Sequence, residues 1–238
     1  MLTRNNAPFF LHEGHKDLTF PDPNLALSEP DGLLAIGGDL KPERILEAYK
    51  QGIFPWYSDD EPILWWSPNP RMVIYPEQLH ISKSLKKSLK KSSYRITFDT
   101  YFEAVIRACA GTTRNRQDGT WITPELLAAY TALHHAGVAH SIEVWNGSQL
   151  VGGLYGLAIG QVFFGESMFS KESNTSKMAM VFLCELLLKW QYQLIDCQVH
   201  TNHLSSLGAI NIPRTEFLAH IETWVVTPPS ANAWNKVR

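Results

Sequence analysis

The stretch HSIEVWNGSQLVGGLYGLAIGQVFFGESMF, residues 140–169, carries the clearest signals of the fold. Polar and apolar residues alternate in its first part, as they do along a β-strand with one buried face. Asn146-Gly147 is a strong signal for a tight hairpin turn. A second turn at Ile159-Gly160-Gln161 leads into another strand-like run. The stretch therefore predicts antiparallel strands joined by tight turns.

Helical patterns lie on both sides of this β-rich stretch. The apolar run from Thr175 to Trp190 predicts a long buried helix, and QLIDCQVH at 193–200 predicts a further strand. Before the stretch we expect two helices, one with Asp99 and one with Thr123 as its N-terminal capping residue. Hairpin strands followed by a helix and a further strand indicate the α+β class.

The N-terminal part of the chain has a different composition. Residues 18–70 are rich in Pro, Gly and Trp and contain one clear helix, which begins at Pro42 and ends near Gly52. We therefore expect a small N-terminal domain at 1–71, with a loose tail at 1–17, and a second domain at 72–238, with a loose tail at 226–238.

The composition is that of an ordinary globular protein. The chain has 238 residues and a formal net charge of −2, so any contact with nucleic acid must come from a local patch. Its three cysteines form neither a disulfide framework nor a zinc pair. We find no complete metal or nucleotide motif, no signal peptide and no membrane-spanning run. We therefore expect a reduced, cytoplasmic setting, no metal and no membrane association.

Three polar side chains stand in apolar surroundings. Glu166 is flanked by phenylalanines and a methionine in FFGESMF, and a buried charge needs a partner or a task. Asp196 and Gln198 alternate with apolar residues on one predicted strand, so a regular strand would carry both on the same face. We expect the three groups to converge, either as a candidate site or as a polar network that only determines strand register.

Five lysines follow one another on a predicted helix. Their spacing i, i+3, i+4, i+7, i+8 puts the ammonium groups on one stripe, and no acidic residue lies between positions 81 and 98. This lysine stripe consists of Lys83, Lys86, Lys87, Lys90 and Lys91. A solvated helix face is one interpretation. We favour an anionic partner, with a phosphate backbone contacted independently of base sequence.

Tryptophans in loop-like surroundings are a third feature. Trp65 and Trp66 are interpreted as core residues of the small domain. Trp56 and Trp121 could also be core, but Trp121, just before a predicted helix, is better placed to offer a face for stacking.

Long motifs add a family resemblance. GLLAIGGDL, YKQGIFPWYS, PILWWSPNPR, GTWITPELLAAY, FFGESMFS and LIDCQV follow one another within residues 18–224 and resemble the leucyl/phenylalanyl-tRNA–protein transferase family. The resemblance implies an enzyme that moves Leu, Phe or Met from aminoacyl-tRNA to an N-terminal Arg or Lys, marking that protein for N-end-rule degradation in bacteria. It also implies a C-terminal domain with the fold of GCN5-related N-acetyltransferases, and no cofactor. We expect a monomer.

The resemblance also implies residue roles. Asp196 and Gln198 match the family's catalytic pair and Glu166 its essential carboxylate. We expect Gln198 to orient the acceptor amine, Asp196 to act as its electrostatic sink, and Glu166 with Asp196 to receive a cationic acceptor. Alanine at either carboxylate should remove most transfer while the chain stays folded. The pocket for the transferred side chain is expected at Leu154, Phe163, Met168, Met180, Leu183 and Ile195. We expect the terminal adenosine to stack against Trp56 or Trp121. The tRNA backbone is expected to lie along the lysine stripe.

Two alternatives stay open. An acetyl-CoA-dependent N-acetyltransferase on the same fold would carry a Gly-rich cofactor turn before a helix, and the corresponding segment SKESNTSKM at 170–178 has no glycine. A non-enzymatic RNA-binding protein would use the lysines and tryptophans, but it leaves Glu166, Asp196 and Gln198 without a task.

Overall fold

The computed structural model describes residues 7–14, 17–112 and 122–235. Within these ranges the chain forms two β-sheets and seven α-helices, which confirms the α+β class. No helix in the described ranges has the length and apolar character needed to cross a membrane.

The first sheet has four short strands in the order β1-β2-β4-β3. They are β1 (Phe9–Leu11), β2 (Leu33–Gly37), β3 (Phe54–Pro55) and β4 (Leu64–Trp66), with helix α1 (Pro42–Lys50) between β2 and β3. Because β1 pairs in parallel with β2, the expected loose tail at 1–17 is corrected for residues 9–11, whose backbone groups extend the sheet.

The second sheet has seven strands. In chain order the remaining elements are β5 (Arg71–Ile74), α2 (Lys83–Lys91), β6 (Arg95–Phe98), α3 (Phe102–Ala110), α4 (Pro124–His135), β7 (Ala139–Asn146), β8 (Gln149–Ile159), β9 (Val162–Ser170), α5 (Thr175–Lys189), β10 (Leu194–Gln198), α6 (Asn202–Ser205), β11 (Ile210–Ile212) and α7 (Arg214–Trp224). Single-turn 3-10 helices lie at Pro23–Leu25 and Pro76–Gln78. The strand order is β11-β5-β10-β9-β8-β7-β6.

Strands β7, β8 and β9 form the antiparallel arrangement that the sequence predicts. Gly147 and Gly160 occupy the turns with φ of +58° and +55°, a region that glycine enters without steric cost. Helix α5 then returns the chain so that β10 pairs with β9 in parallel, and β5 inserts between β10 and β11. Strands β9 and β10 are therefore interior to the sheet.

Apolar residues pack on both faces of the large sheet. One cluster, around Met180, Leu183 and Trp190, involves α2 and α5. The other joins residues of the first sheet, such as Trp65, to residues of the second, such as Phe164. Apolar contacts thus run across the expected boundary at 71/72, and the division into two domains stays a prediction.

The C-terminal segment differs from the expected loose tail at 226–238. The indole of Trp234 stacks on the imidazole of His140, with ring centroids 3.9 Å apart, and its Nε1 donates to the Tyr192 hydroxyl at 2.9 Å. The backbone N–H of Ser230 donates to the carbonyl of Trp190. Partial burial of this large aromatic ring explains why the segment around Trp234 packs against His140 and Tyr192.

Asp99 does not cap α3 as expected. Tyr101 holds the N-cap position, and Asp99 adopts a positive φ of 50°. The Asp99 carboxylate accepts the backbone N–H of Ser141 at 2.9 Å and lies 2.7 Å from His140 Nδ1. Its tertiary partners therefore outweigh the local capping preference. Thr123, in contrast, caps α4 as predicted, by accepting the N–H of Leu126.

Candidate active site

A β-bulge positions Glu166. Opposite β8, Tyr155 pairs with Ser167 and Gly156 pairs with Gly165, so Glu166 is the extra residue of β9. A bulge bends the strand and re-aims the side chain of the extra residue. At Gly156 an added Cβ would meet the carbonyl oxygen of Phe164 at 2.2 Å, so this close strand approach needs glycine.

A second bulge lies on β10. Asp196 pairs with Val73 and Gln198 with Met72 on β5, which leaves Cys197 as the extra residue. Gln198 has a φ of +64°, in the left-handed region. The alternation that predicted Asp196 and Gln198 on one face therefore does not hold across Cys197, and the two side chains have different partners.

Glu166 is 8% exposed, and its carboxyl group has three hydrogen-bond partners. The Tyr49 hydroxyl donates to Oε1 at 2.7 Å, and Gln198 Nε2 donates to the same oxygen at 3.0 Å. The Tyr130 hydroxyl lies 2.9 Å from Oε2. The two hydroxyl oxygens are themselves 2.7 Å apart. Helices α1 and α4 thus each send one tyrosine to Glu166.

Burial raises the pKa of Glu166 to about 7. Desolvation is the largest effect, and the charge of Asp196 raises the pKa further. Together they outweigh the hydrogen bonds from Tyr49, Tyr130 and Gln198, which lower it. Desolvation and the nearby Glu166 charge also raise the pKa of both tyrosines well above its ordinary value. Glu166 therefore changes charge near neutral pH while the tyrosines keep their protons.

Asp196 is completely buried, and its charge is already paired. Arg71, equally buried, donates from Nε to Oδ1 at 2.8 Å and from Nη2 to Oδ2 at 2.7 Å. The guanidinium lies between the rings of Phe54 and Phe217, at 4.8 and 4.5 Å from their centroids. Because this bidentate pair neutralises Asp196, the expectation that an acceptor cation meets two free carboxylates is corrected. Only Glu166 of the two lies in the cavity wall.

The Arg71–Asp196 pair also acts on Gln198. Asp196 Oδ1 accepts the backbone N–H of Gln198 at 2.9 Å, next to the positive φ of that residue. The Gln198 side chain then donates to Glu166. A chain of contacts therefore connects the buried ion pair to the amide that orients Glu166.

A cavity of about 490 Å³ opens in front of Glu166 and Gln198, within the usual size for a small-molecule site. Seven predicted substrate-binding residues line it, namely Trp56, Leu154, Phe163, Met168, Met180, Leu183 and Ile195. The eighth, Trp121, lies outside the described residues. Asp196 is not among the described residues that form the wall. The structure thus brings the predicted apolar set, Glu166 and Gln198 together around one space.

The lysine stripe lies on α2, which spans Lys83–Lys91 as predicted. Leu85 packs into the core, and all five lysines are exposed. Lys87 and Lys91 also border a second, polar groove of about 580 Å³, together with Ser84, Ser88 and Asn174.

Sequence reasoning missed three residues of the site: Tyr49, Tyr130 and Arg71. Tyr49 lies four positions after Ile45 on the buried face of α1, and a phenol on a buried face signals a hidden hydrogen-bond partner. Arg71 stands immediately before the apolar strand residues MVI, where a cation signals a buried counter-charge. These signals do not identify the partner, because each of the three residues lies more than 30 positions from Glu166 or Asp196, its partner.

No group of three His, Cys, Asp or Glu side chains in the described ranges could hold a metal ion. The fold and the site therefore define a class: an α+β enzyme with an apolar cavity and, in its wall, a carboxyl group that titrates near neutral pH.

Comparisons with known proteins specify this class further. The family model described as leucyl/phenylalanyl-tRNA protein transferase matches residues 73–222, and the model of the family's N-terminal domain matches 38–69. A leucyl/phenylalanyl-tRNA–protein transferase of Anaeromyxobacter sp. is 54% identical over 220 residues, 92% of this chain and 93% of that protein. The one of Azotobacter vinelandii is 55% identical over 215 residues, 90% and 95% of the two chains. The chain belongs to the leucyl/phenylalanyl-tRNA–protein transferase family and is an aminoacyl-tRNA-dependent transferase.

Two solved structures resemble this chain weakly. L-PGS from Bacillus licheniformis has a TM-score of 0.40 and 8% identity, covering 72% of this chain and 57% of that one. A conserved protein from Staphylococcus epidermidis has a TM-score of 0.36 and 10% identity, covering 72% and 64%. These neighbours do not confirm the expected fold of GCN5-related N-acetyltransferases.

Proposed function

We propose that this protein transfers Leu, Phe or Met from aminoacyl-tRNA to the N-terminal Arg or Lys of acceptor proteins and so marks them for N-end-rule degradation. The observation that carries the proposal is the apolar cavity with Glu166 and Gln198 in its wall. In the reaction the acyl carbon leaves a ribose oxygen and joins the acceptor amine. Family membership supports the reaction type, and the cavity supports the kinds of substrate.

The apolar wall suits an unbranched or aromatic side chain. Met168 and Met180 are flexible and adapt to guests of different shape, such as Leu, Phe and Met. Leu154 and Leu183 in the same wall are 2% and 0% exposed, so close packing around them keeps that part of the wall rigid. A β-branched guest carries its bulk next to the reacting carbonyl, and we expect it to be rejected by shape.

Met180→Ala is expected to raise the preference for Phe over Leu by about tenfold, because the shorter side chain leaves room for the larger ring. A difference of one methylene group in an apolar pocket changes binding by roughly 1–3 kcal/mol. Met178→Ala is the matched control, because it lies on the same helix and is equally buried but is not in the cavity wall. The measurement is kcat/KM for Phe-tRNA and Leu-tRNA in competition. Equal ratios in Met180→Ala and Met178→Ala would contradict the pocket assignment.

The acceptor cation is proposed to approach Glu166. Asp196 is paired with Arg71, so its part is to hold Gln198 in place rather than to meet the acceptor. Gln198 in turn orients Glu166 through the hydrogen bond that its Nε2 donates to Oε1. This assignment keeps the three predicted catalytic residues but changes the roles of Asp196 and of Gln198, which was expected to orient the acceptor amine.

The tRNA is proposed to contact two further features. Trp56 lines the cavity and is only partly buried, so its ring can stack on the terminal adenosine. Trp121 stays a second candidate for the same contact. The lysine stripe would hold the phosphate backbone, and the groove beside Lys87 and Lys91 offers hydroxyl and amide donors for a phosphate.

Changing Lys83, Lys86, Lys87 and Lys90 to Gln is expected to raise the KM for tRNA and to flatten its salt dependence by roughly 0.7–0.9 in logarithmic slope per lost phosphate contact. The control changes four other exposed cations, Lys41, Lys50, Arg107 and Lys189, and so alters net charge equally. Steady-state kinetics between 50 and 200 mM salt measure the effect. An unchanged slope in the stripe variant would make the stripe only a solvated helix face.

The function is tested by adding the purified protein to labelled Leu-tRNA and a model protein that begins with Arg. We expect label at the Arg N-terminus and none on the same protein beginning with Gly. Labelled acetyl-CoA replaces Leu-tRNA in a parallel reaction. No transfer from tRNA would overturn the proposal, and acetyl transfer in its place would establish the N-acetyltransferase alternative.

We further propose the finer features that the resemblance implies. These are a C-terminal domain at 72–238 with the fold of GCN5-related N-acetyltransferases, a small N-terminal domain at 1–71, a monomeric state and a cytoplasmic location. The arrangement of β7, β8 and β9, with α5 and then β10 following, supports the fold proposal.

A further inference from the structure

Glu166, Tyr49 and Tyr130 form a closed triangle of short oxygen contacts. Tyr49 lies 2.7 Å from Glu166 Oε1, Tyr130 lies 2.9 Å from Oε2, and the two hydroxyls are 2.7 Å apart. Each contact is within hydrogen-bond length, and each needs one proton. The two tyrosines supply two protons. The third can come only from the carboxyl group, so the triangle is complete when Glu166 is protonated.

When Glu166 is ionised, one of the three contacts has no proton between its oxygens. The triangle is therefore a site with room for one additional proton. Its members keep their places without that proton, because Gln198 also donates to Oε1 and the tyrosines are held on α1 and α4. Glu166 lies in the wall of the cavity that the substrates would enter, so it can be reached from there.

We propose that Glu166 takes the proton that the acceptor ammonium group must lose before attack, and that Tyr49 and Tyr130 are positioning residues that donate to the ionised carboxylate and hold it ready for this proton. The inference rests on the proposed function. Amine deprotonation by a positioned group is a standard contribution to acyl transfer.

The protons of the step balance. An acceptor R–NH3+ gives one proton to the Glu166 carboxylate and becomes R–NH2. The nitrogen attacks the ester carbon, and the C–O bond to the ribose breaks. The second amine proton goes to the departing ribose oxygen, which leaves as a hydroxyl. The products are an amide, a free ribose hydroxyl and a protonated Glu166, which releases its proton to solvent before the next turnover.

The charged and titratable groups around Glu166 agree with this task. Tyr49 comes from α1, Tyr130 from α4, and Asp196, paired with Arg71, from β10. The pKa of Glu166, about 7, is close to the ordinary value of a protein α-amine, roughly 7.7–8.0. A proton passes between two such groups at little cost in either direction.

The test begins with a measurement that needs no activity. Protein labelled with carboxyl-¹³C glutamate is titrated by NMR, and Glu166→Gln identifies the Glu166 signal. Tyr49→Phe and Tyr130→Phe each remove one donor to the ionised carboxylate and should raise the Glu166 pKa by about one unit. Tyr57→Phe is the control, since the hydroxyl of that buried tyrosine lies 3.2 Å from Thr123 Oγ1 instead.

The kinetic arm records kcat/KM against pH for the same proteins. We expect the acid limb, where Glu166 becomes protonated, to move to higher pH by the same amount in Tyr49→Phe and Tyr130→Phe, and to stay in place in Tyr57→Phe. An unchanged Glu166 pKa in both variants overturns the triangle, and a shifted pKa with an unshifted acid limb overturns the proton-acceptor role. If the wild-type protein transfers nothing, the proposed function fails, while the NMR titration still decides the triangle.

Discussion

Glu166→Gln is expected to lower transfer at least 100-fold while making the fold more stable at pH 8 than the wild type. The activity falls because an amide cannot take a proton, and general acid–base groups contribute about 10²–10⁴ in rate. The fold gains because the Gln amide can donate to Tyr130 and accept from Tyr49, which mimics the protonated carboxyl group in the triangle.

The sign of the stability effect follows from the pKa of Glu166. This pKa is about 7 in the folded state, above the ordinary 4.5, so the folded state binds the proton more tightly than the unfolded state. The stabilisation by the proton is present below pH 4.5 and is lost as the pH rises through 7. At pH 8 the variant should exceed the wild type by up to about 3 kcal/mol in free energy of unfolding.

Urea denaturation at pH 5 and pH 8 measures this difference. We expect a small difference between wild type and Glu166→Gln at pH 5 and a large one at pH 8. Glu103→Gln, on the exposed face of α3, is the control and should show neither effect. A difference that is the same at both pH values would contradict the raised pKa. Greater stability with loss of activity is the trade-off expected of a functional buried charge.

Asp196→Ala is expected to cost roughly 3–5 kcal/mol of folding free energy, because it leaves the guanidinium of Arg71 buried without its counter-charge. This differs from the expectation, drawn from the sequence, that the variant stays folded and only loses activity. The loss of transfer then has two causes, a weakened fold and a Gln198 whose backbone N–H has lost its acceptor. Thermal and urea unfolding measure the first, and transfer at low temperature measures the second.

The double variant Arg71→Met, Asp196→Leu separates these causes. Replacing a buried ion pair with apolar residues of similar size is often neutral or stabilising, so the double variant should recover stability. Transfer should stay low, because Gln198 is no longer held by Asp196. Full recovery of transfer would show that the pair has no positioning role, and a cost below about 1 kcal/mol for Asp196→Ala would show that Arg71 finds another partner.

Local sequence patterns predicted much of the fold. The Asn146-Gly147 turn, the stripe on α2, the Thr123 cap and the long helix α5 follow from hydrophobic period and turn chemistry, which act over a few residues. The errors have a different origin. Asp99 accepts a hydrogen bond from Ser141 on β7, and Trp234 stacks on His140. Tertiary contacts therefore determined the positions of both side chains.

The candidate site divides in the same way. The residue pattern placed Glu166, Asp196 and Gln198 in apolar surroundings, and long motifs indicated the family to which the pocket residues belong. Which of these groups meet depends on contacts between distant parts of the chain. Two bulges break the alternation that a sequence pattern assumes, Arg71 neutralises Asp196 across 125 positions of the chain, and two tyrosines from separate helices close on Glu166. The physical reason is that the cost of burying a charge can be met by any partner in space, and spacing along the chain carries no record of which partner that is.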